Sequence, residues 1–331
     1  MTTAVVILNW NGKALLEQFL PSVVQYSEGA TVYVADNAST DDSLAYVSAH
    51  FPTVQIIKNT ENGGYAKGYN DALANLSEEI FVLLNSDVAV TENWLAPVLS
   101  AFKNDDQLVA AQPKILDFNK KTHFEYAGAA GGFVDKLGYP YCRGRIFNTL
   151  EEDRGQYNDT TTIFWASGAC LFVSSYAFRA VGGLDADFFA HQEEIDLCWR
   201  LQAKGGIVKY VGASTVFHVG GATLGAANAQ KTFYNFRNTL LMLVKNVKGS
   251  VVWWRIFQRL VLDAVAGIQF LLQGKGNHFF AILRAHFSFY ALLPKFLRKR
   301  KNWASNLKYS EINSVVIAYF LKGEKFYNQL K

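Results

Sequence analysis

The sequence predicts an α/β protein with a doubly wound, mainly parallel sheet, followed by a C-terminal helical subdomain. Short apolar runs alternate with helical patterns through the first hundred residues, and near-continuous apolar strands are typical of sheets covered by helices on both faces. From residue 228 onward the composition becomes helical and rich in aromatic residues. We therefore predict one domain over residues 1–227 and a helical region over residues 228–331.

The predicted elements of the first domain follow one another in regular order. The opening apolar run ends at Asn9, which favours a first buried strand over a signal peptide. Three further strands, with the sequences TVYVAD, VQIIKN and EIFVLLN, alternate with helices over residues 13–26, from about residue 41, and over residues 66–76. In such βαβ arrangements, ligands bind beyond the carboxyl ends of the strands.

The later part of the chain departs from this alternation. Additional strands, partly antiparallel, are predicted after Asp106, around a polar loop at about residues 135–159. A loop of this length is either a lid over a site or a variable surface insertion. Three or four amphipathic helices follow. Their apolar stretches at 256–272 and 279–293 are interrupted by charged residues and do not reach the length of a membrane span.

Charge is distributed unevenly along the chain, whose net charge is +4. Residues 1–250 carry 19 Lys and Arg against 25 Asp and Glu, whereas residues 251–331 carry 13 against 3. An acidic main domain is not expected to bind nucleic acid, and a basic tail favours an anionic surface.

The cysteine pattern indicates the compartment. Cys142, Cys170 and Cys198 are odd in number and have no C-x-x-C spacing. We therefore expect neither a disulfide framework nor a structural zinc site, and a reduced, cytoplasmic setting.

Polar turns follow four successive predicted strands. They are Asn9 to Asn11, Asp36 to Ser39, Asn62 to Gly64 and Asn85 to Asp87. Because the carboxyl ends of parallel strands meet at one edge of a sheet, these turns are expected to face one crevice. Asn and Asp are also good N-caps, so a single turn has a structural alternative, but four in succession favour a binding site.

Two segments carry groups suited to chemistry. Asn85 and Asp87 place two oxygen ligands on one side of the chain, a spacing that suits a hard divalent cation carrying a diphosphate. About a hundred residues later, GGLDADFFAHQEEIDLCWRL at 182–201 supplies carboxylates that can take a proton from an attacking hydroxyl. Together they indicate group transfer from a nucleotide-activated donor. The alternative for the second segment is a helix start whose acids favour its dipole.

Four other residues are candidates for contact with sugars. Gly168 and Ala169 would let the backbone approach the donor sugar closely. Trp165 and Trp199 offer flat faces on which sugars can stack. Each tryptophan has core packing as its alternative.

Six motifs occur in order over about residues 3–225. They are VVILNWNG, VADNASTDDS, NTENGGYAKGYNDAL, LLNSDV, SGACLFVSSYAFRAVGGLDADFFAHQEEIDLCWRL and VFHVGGAT. The series resembles glycosyltransferase family 2, in particular its rhamnosyltransferase-like members. The resemblance implies a GT-A fold, a sugar nucleotide donor (dTDP-rhamnose or a UDP-sugar), a divalent metal (Mn²⁺ or Mg²⁺) and transfer with inversion of configuration. It also implies a glycan or lipid-linked acceptor, in bacterial cell-surface polysaccharide synthesis.

The resemblance also implies roles for residues along the crevice. Asp36 matches the acidic residue that contacts the nucleobase, and residues 62–70 match the segment that wraps the nucleotide. Asn85 to Asp87 matches the family's D-x-D motif with Asn in its first position, and His218 matches a histidine that some members bring to the metal. With the polar turns, the expected nucleotide contacts are Asn9, Asn11, Asp36, Asn37, Asn62, Gly63, Gly68, Asn70, Asn85 and Ser86, and the expected metal ligands are Asp87, Asn85 and His218.

Glu194 is the predicted catalytic base. Members of the family carry a Glu-Asp pair where this chain has Glu193 and Glu194, and the second position is usually the catalytic one. Glu193 is the second choice and Asp196 the third. Asp196 has a helical ion pair with Arg200 as its alternative.

The basic tail has two interpretations. The segment LLPKFLRKRKNW places five cations beside an aromatic helix, namely Lys295, Arg298, Lys299, Arg300 and Lys301. Such a segment suits the headgroup boundary of an anionic membrane, which would place the protein at the inner face of the plasma membrane. The alternative is a helical homodimer interface with a solvated basic edge.

Two other function classes stay open from the sequence. A nucleotidyltransferase is expected to have a Gly-rich, Arg-bearing loop after the first strand, where this chain has Asn9-Trp10-Asn11-Gly12. A catalytically silent nucleotide- or glycan-binding protein would explain the Asn at position 85 and the Glu at position 194 as decay. Slow hydrolysis of a sugar nucleotide would distinguish an enzyme from a binding protein.

Overall fold

The computed structural model describes residues 1–220 and 228–330. Its strands are β1 (Thr3–Asn9), β2 (Thr31–Asp36), β3 (Gln55–Lys58), β4 (Ile80–Asn85), β5 (Val88–Val90), β6 (Leu108–Asp117), β7 (Gly132–Val134), β8 (Pro140–Cys142), β9 (Arg145–Ile146), β10 (Thr149–Leu150), β11 (Thr160–Thr162), β12 (Cys170–Ser174) and β13 (Ile207–His218). Its α-helices are α1 (Lys13–Tyr26), α2 (Ser43–His50), α3 (Gly64–Leu73), α4 (Leu95–Lys103), α5 (Ser175–Ala180), α6 (Glu193–Ala203), α7 (Ala229–Asn246), α8 (Val251–Leu272), α9 (Gly276–Trp303) and α10 (Val315–Phe320).

A large mixed sheet organises the first part of the chain. Its strand order is β11-β13-β6-β12-β4-β1-β2-β3, with β5 paired to β13. The strands β3, β2, β1 and β4 are parallel, and β12 is antiparallel to both β4 and β6. The predicted α/β class and the first four predicted strands are confirmed.

Helices cover both faces of this sheet, which is why its central strands are apolar throughout. Along β1, Val5 and Ile7 point into a core shared with α1, α2 and α4. Ala4 and Val6 point to the other face, into a core shared with α3, α6 and α7. The period of two along the strand therefore assigns successive side chains to different layers.

The segment predicted as a polar loop at 135–159 is instead a small sheet. Strands β7 to β10 pair antiparallel in the order β10-β9-β8-β7. Asp135 is fully buried, and its carboxylate accepts hydrogen bonds from the backbone N–H groups of Leu137, Tyr139 and Val315. Because Val315 begins α10, this one acid connects the small sheet to the C-terminal helices.

The predicted C-terminal helices are present as α7 to α10. Leu240 and Leu243 of α7 belong to the same hydrophobic core as the sheet. Within the described residues, none of the helices is both long enough and apolar enough to cross a bilayer. The domain boundary proposed after residue 227, and the last three residues of the motif VFHVGGAT, lie outside the described residues.

Three of the five tail cations hold the tail to the protein. Lys295 and Lys299 form ion pairs with Asp187 at 2.6 Å, and Lys299 also pairs with Asp185 at 2.5 Å. Arg300 donates hydrogen bonds to backbone carbonyls at and just beyond the end of α7. Of the five cations, Lys295 and Lys299 are therefore paired with acids and Arg300 with backbone carbonyls.

Candidate active site

A cavity of about 1380 Å³ opens at the carboxyl ends of the parallel strands. As predicted, the polar turns meet there, since Asn9, Asn37 and Asn85 all line it. The start of α6 forms another part of its wall, through Glu193 and Glu194. Metal-ligand and base candidates that lie far apart in sequence thus share one cavity.

Hydrogen bonds among the turns hold the strand ends together. Asn9 donates from Nδ2 to Oδ1 of Asp36 at 3.0 Å and to Oγ of Ser43 at 2.9 Å. The backbone N–H of Ser39 donates to the other oxygen of Asp36 at 2.9 Å. Both carboxylate oxygens of Asp36 therefore accept hydrogen bonds within the protein, whereas the buried Oδ1 of Asn9 has no hydrogen-bond partner among the described residues.

The second and third turns are linked in the same way. Asn37 donates to the carbonyl of Gly64 at 3.0 Å and accepts from Asn59 at 2.7 Å. A Cβ on Gly68 would lie 2.5 Å from Nδ2 of Asn37, so the close packing of α3 against this turn requires a glycine. Asn70 exchanges two hydrogen bonds with the backbone of Leu184.

The structure divides the expected nucleotide contacts into two groups. Those that line the cavity are Asn9, Asn11, Asn37, Asn62, Asn85 and Ser86. Those that lie behind its wall are Asp36, Gly63, Gly68 and Asn70. For Asp36, Gly68 and Asn70 the contacts are structural, because they position the turns that the first group presents.

Asp87, His218 and Asn85 come together at the ends of β4 and β13. Oδ1 of Asp87 lies 3.1 Å from Nε2 of His218, and Nδ2 of Asn85 lies 3.4 Å from the same nitrogen. Nδ1 of His218 lies 3.2 Å from Oε2 of Glu125, on the other side of the ring. A carboxylate behind an imidazole orients the ring and increases its basicity, as in many metal sites.

Two carboxylates govern the charge of His218. Burial alone would lower the pKa of the imidazole, but hydrogen bonds with Asp87 and Glu125 raise it to about 10. His218 is thus a cation between two acids when no metal is bound. Among residues 1–220 and 228–330, no three His, Cys, Asp or Glu side chains form a cluster able to hold a metal ion.

The backbone before α6 is strained. Phe189, His191 and Gln192 have φ values of 65°, 68° and 75°, in the left-handed region that non-glycine residues rarely adopt. Asn238 of α7 is fully buried and directs its Nδ2 at the carbonyls of residues 188, 190 and 191, at 2.7 to 3.0 Å. Arg237 donates to the carbonyl of residue 188 at 2.9 Å. Strain of this kind persists only where the surroundings hold it, and it is concentrated at functional sites.

The strained segment presents two acids whose charges are not compensated. Oε2 of Glu193 and Oε2 of Glu194 are buried and have no hydrogen-bond partner among the described residues. Burial, and then the neighbouring Glu194, raise the pKa of Glu193 well above its usual range. Burial raises the pKa of Glu194 to about 7, although backbone N–H groups at the start of the helix oppose the shift. Glu194 can therefore exchange a proton near neutral pH.

Asp196, less than one turn further along the same helix, is in the opposite situation. Its carboxylate is fully buried and pairs with Arg200 and Lys245, each at 2.8 Å. Asn246 donates to its other oxygen at 2.8 Å. Burial alone would raise the pKa of Asp196, but these two cations lower it below its usual range. The helical ion pair considered as the alternative for this residue is present.

The tryptophans predicted to stack on sugars lie in the core. Trp165 is buried against Gly132, and its Nε1 donates to the carbonyl of Phe133 at 2.9 Å. Trp199 is buried, with its ring centroid 4.2 Å from that of Tyr309. The prediction of a stacking role is wrong for both, since neither ring reaches the cavity.

Gly168 and Ala169 do line the cavity. The hydroxyl of Tyr65 donates to the carbonyl of Gly168 at 2.7 Å, and a Cβ on Gly168 would lie 2.8 Å from that hydroxyl oxygen. The glycine thus makes room for Tyr65. Tyr65 also lines the cavity, so this contact fixes the wall on which the donor is expected to lie.

Sequence reasoning missed three residues of the site. Glu125 lies in the loop between β6 and β7, Asn238 lies in a predicted amphipathic helix, and Trp10 was considered only as part of a turn. Only Trp10 carried a local signal, as a large aromatic residue beside two asparagines. Its side chain is 50% exposed and lines the cavity.

The comparisons with known proteins agree with this arrangement. The family model described as "Glycosyl transferase family 2" matches residues 4–182, more than half of the chain. The chain is 27% identical over 270 residues to the N-acetylglucosaminyl-diphospho-decaprenol L-rhamnosyltransferase of Mycobacterium tuberculosis, over 76% of this chain and 86% of that protein. It is 26% identical over 220 residues to the pre-mycofactocin glycosyltransferase of the same species, over 65% of this chain and 43% of that protein.

Solved structures resemble the fold at low sequence identity. GalNAc-T7, crystallised with UDP, GalNAc and Mn²⁺, has a TM-score of 0.59 at 16% identity, over 74% of this chain and 48% of that one. The mannosyltransferase PcManGT of Pyrobaculum calidifontis, in complex with GDP-Man and Mn²⁺, has a TM-score of 0.53 at 14% identity, over 87% of this chain and 86% of that one. These likenesses show the fold alone, and they confirm the predicted GT-A architecture.

Proposed function

The chain belongs to glycosyl transferase family 2 and is a glycosyltransferase, and we propose that it moves a hexosyl group to a lipid-linked glycan with inversion of configuration. L-Rhamnose from dTDP-rhamnose is the proposed donor sugar, with a UDP-sugar as the alternative. Membership of the family sets aside the nucleotidyltransferase and the silent binding protein. The role in cell-surface polysaccharide synthesis is part of the proposal.

One observation carries this proposal. Within a single cavity, the polar pair of Asp87 and His218 is combined with two uncompensated carboxyl groups, Glu193 and Glu194. The first pair suits a leaving diphosphate, and the second suits an acceptor hydroxyl. A displacement at the anomeric carbon needs both functions at one site.

The first turn supplies the proposed nucleoside contacts. The half-exposed ring of Trp10 offers a face for the base. We assign this end of the cavity to the nucleoside for that reason.

A divalent metal fits the donor atoms at the ends of β4 and β13. Asp87 and His218 would hold it, with Asn85 adding a neutral oxygen, and hard cations of this kind complete their coordination with substrate phosphates. The ion would neutralise the charge that develops on the leaving diphosphate. Glu125 would hold the ring of His218 in place from behind.

The proton chemistry is assigned to Glu194. The acceptor oxygen forms a bond to the anomeric carbon as the bond from that carbon to the diphosphate oxygen breaks, and the hydroxyl proton passes to the Glu194 carboxylate. A base works best when its pKa lies near the working pH, and the pKa of Glu194 is about 7. Burial and the neighbouring Glu194 favour the protonated form of Glu193, which makes it the weaker candidate for this role.

A lipid-linked acceptor is supported by the rhamnosyltransferase relative, whose name specifies a diphospho-decaprenol carrier. Such a carrier is confined to a membrane surface. We therefore propose that the protein works in peripheral contact with a membrane.

The function is tested by incubating the protein with Mn²⁺ and a panel containing dTDP-rhamnose, UDP-GlcNAc and GDP-mannose. Release of nucleoside diphosphate is measured with and without a short-chain N-acetylglucosaminyl-diphospho-polyprenol. We expect slow hydrolysis of one donor, faster release when the acceptor is added, and a glycosylated product of inverted anomeric configuration.

The Asp87→Ala variant is the control for this assay. It should lose both transfer and metal-dependent nucleotide binding, whereas Asp105→Ala, which removes an acid paired with Lys209 away from the cavity, should retain both. Full transfer by Asp87→Ala, or full transfer in excess chelator, would contradict the assignment of the diphosphate end.

A further inference from the structure

Helix α8 exposes a stripe of apolar side chains to solvent and turns its charged side chains toward the protein. Its side chains Trp254, Phe257, Val261, Val265, Ile268 and Leu272 recur every three or four residues, and all are exposed. Val265 is 58% exposed and Leu272 is 85% exposed. In an ordinary surface helix this stripe would face the core.

The charged residues of α8 point inward instead. Arg259 and Asp263 are buried and pair with each other at 2.8 Å, and Asp263 also pairs with His286 of α9 at 3.1 Å. Arg255 donates to the hydroxyl of Tyr309 at 2.6 Å. These contacts fix the rotation of the helix about its axis, so its apolar stripe is held outward.

The next helix adds a second exposed stripe. On α9, Phe280, Leu283, Phe287 and Tyr290 recur at the same spacing, and all are exposed. We refer to these four residues and the six of α8 as the hairpin face. A monomer rarely exposes so many large apolar side chains together unless they contact an apolar partner.

The charge around the hairpin face is positive. Lys275, Arg284, Arg298 and Lys301 are exposed on or between the two helices, and none forms an ion pair with a residue in 1–220 or 228–330. Asp263 is the only acid in α8 and α9, and it is buried. A second copy of the chain would bring two such cationic borders together, which opposes self-association. An anionic bilayer surface complements both the apolar and the cationic groups.

The hairpin is also part of the cavity wall. Gln269, Phe270 and Gln273 at the end of α8, together with Lys275, line the cavity that contains Glu194. Helix α8 thus exposes its apolar stripe on the protein surface, and its last turn lines the cavity.

We infer that the hairpin face is a docking surface for an anionic lipid bilayer, on which α8 and α9 lie in the plane of the interface. The apolar side chains enter the headgroup region, and the cations contact acidic lipids. The mouth of the cavity then lies near the membrane. The delivery of a lipid-linked acceptor to this mouth rests on the proposed function, whereas binding to lipid does not.

Vesicle flotation without any substrate tests this inference. The full chain is mixed with vesicles of phosphatidylcholine alone or with added phosphatidylglycerol, at low and high salt. We expect salt-sensitive binding to the anionic vesicles. The triple variant Phe257→Gln, Val261→Gln and Val265→Gln should lower the partition coefficient about tenfold or more, since it removes three inserting side chains.

Matched variants separate the hairpin face from general hydrophobicity. Phe287→Gln should weaken binding, whereas Tyr176→Gln should leave it unchanged, although Phe287 is 75% exposed and Tyr176 on α5 is 83% exposed. Arg298→Gln with Lys301→Gln should lower affinity for anionic vesicles by about fivefold per cation. Far-UV circular dichroism and the Tm should be unchanged in all of them, which reports that each variant is folded.

Two outcomes would overturn the inference. One is equal vesicle binding by the native chain and the triple variant. The other is no vesicle binding by the native chain, together with a dimer in sedimentation velocity that the triple variant loses, which would assign the face to a second copy. Because these measurements need no sugar nucleotide, a wrong donor or acceptor would not affect them.

Discussion

Helix α6 carries two sets of acids that differ in almost every physical respect. Glu193 and Glu194 at its start have buried oxygens without partners, and their pKa values are raised. Asp196, less than one turn later, is surrounded by Arg200, Lys245 and Asn246, and its pKa is lowered. The same chemical group is thus without partners at one position and fully paired at the other.

The difference lies in which residues surround each carboxylate in the folded protein. Burial without a partner makes a carboxylate costly to ionise, and that cost is what allows an acid to exchange protons near neutral pH. Burial with two cations makes the carboxylate a fixed anion that cannot act as a base.

The largest effect is expected for Glu194→Gln, which keeps the shape of the side chain but cannot take a proton. Turnover should fall by about 10² to 10⁴-fold, the usual contribution of a general base, while donor affinity stays close to that of the native enzyme. Transfer rates and the affinity for the donor, measured by calorimetry, provide the check. A variant of Glu193 that shows this pattern in place of Glu194 would exchange the two roles.

The pH dependence of the native enzyme sharpens the same prediction. A base is active only when deprotonated, so kcat/KM should rise as the pH increases through about 7, where burial has placed the pKa of Glu194. The residual activity of Glu194→Gln should lack this rise. If the rise persists unchanged in the variant, another group is responsible for it.

Asp196→Asn should chiefly affect stability. It leaves the buried cations of Arg200 and Lys245 without their shared anion, and breaking a buried pair in this way costs about 3–5 kcal/mol of unfolding free energy. Urea denaturation measures the change. Asp71→Asn is the matched control, because Asp71 and Lys67 are also four residues apart but are exposed, and its midpoint should hardly move.

The smallest effect, and one of opposite sign, is expected for Glu193→Gln. Replacing an acid that is buried without a partner should stabilise the protein by about 0.5–2 kcal/mol, as substitutions at strained functional sites commonly do. Because the folded-state pKa of Glu193 is raised, the native protein loses stability as the pH rises above 4.5, the ordinary pKa. The difference in Tm should therefore be small below pH 4.5 and grow toward neutral pH. A destabilised variant at pH 7 would show that Glu193 is paired in solution.

Much of the fold was predictable because its signals are local. The apolar runs of β1 and β4 and the helix at Lys13–Tyr26 are each encoded within a few residues, and a parallel arrangement brings their polar ends to one edge. For this reason Asn9, Asn37 and Asn85 were expected to lie together, and the structure places all three on the cavity wall. Membership of the glycosyltransferase family followed from the order of the motifs.

The small sheet at residues 132–150 was not predictable in the same way. Its strands are two or three residues long, and Asp135 is buried only because residues about 180 positions later supply the N–H group of Val315. Trp165 and Trp199 were misassigned for a related reason. A tryptophan in a sequence shows an aromatic face, but what covers that face depends on distant residues such as Gly132 and Tyr309.

The period and spacing of residues along the chain were enough to predict the alternating strands and helices, the edge of the sheet where the cavity opens and the candidate acids. The folded structure was needed to show which acids lack partners, which cations are already paired and which way α8 faces. These properties depend on partners such as Lys245, Asp187 and Tyr309, all far away in sequence from the groups they contact. Burial and charge compensation depend on residues that are distant in sequence. They decide whether a carboxylate can accept a proton or remains a fixed anion, with no change in the residue itself.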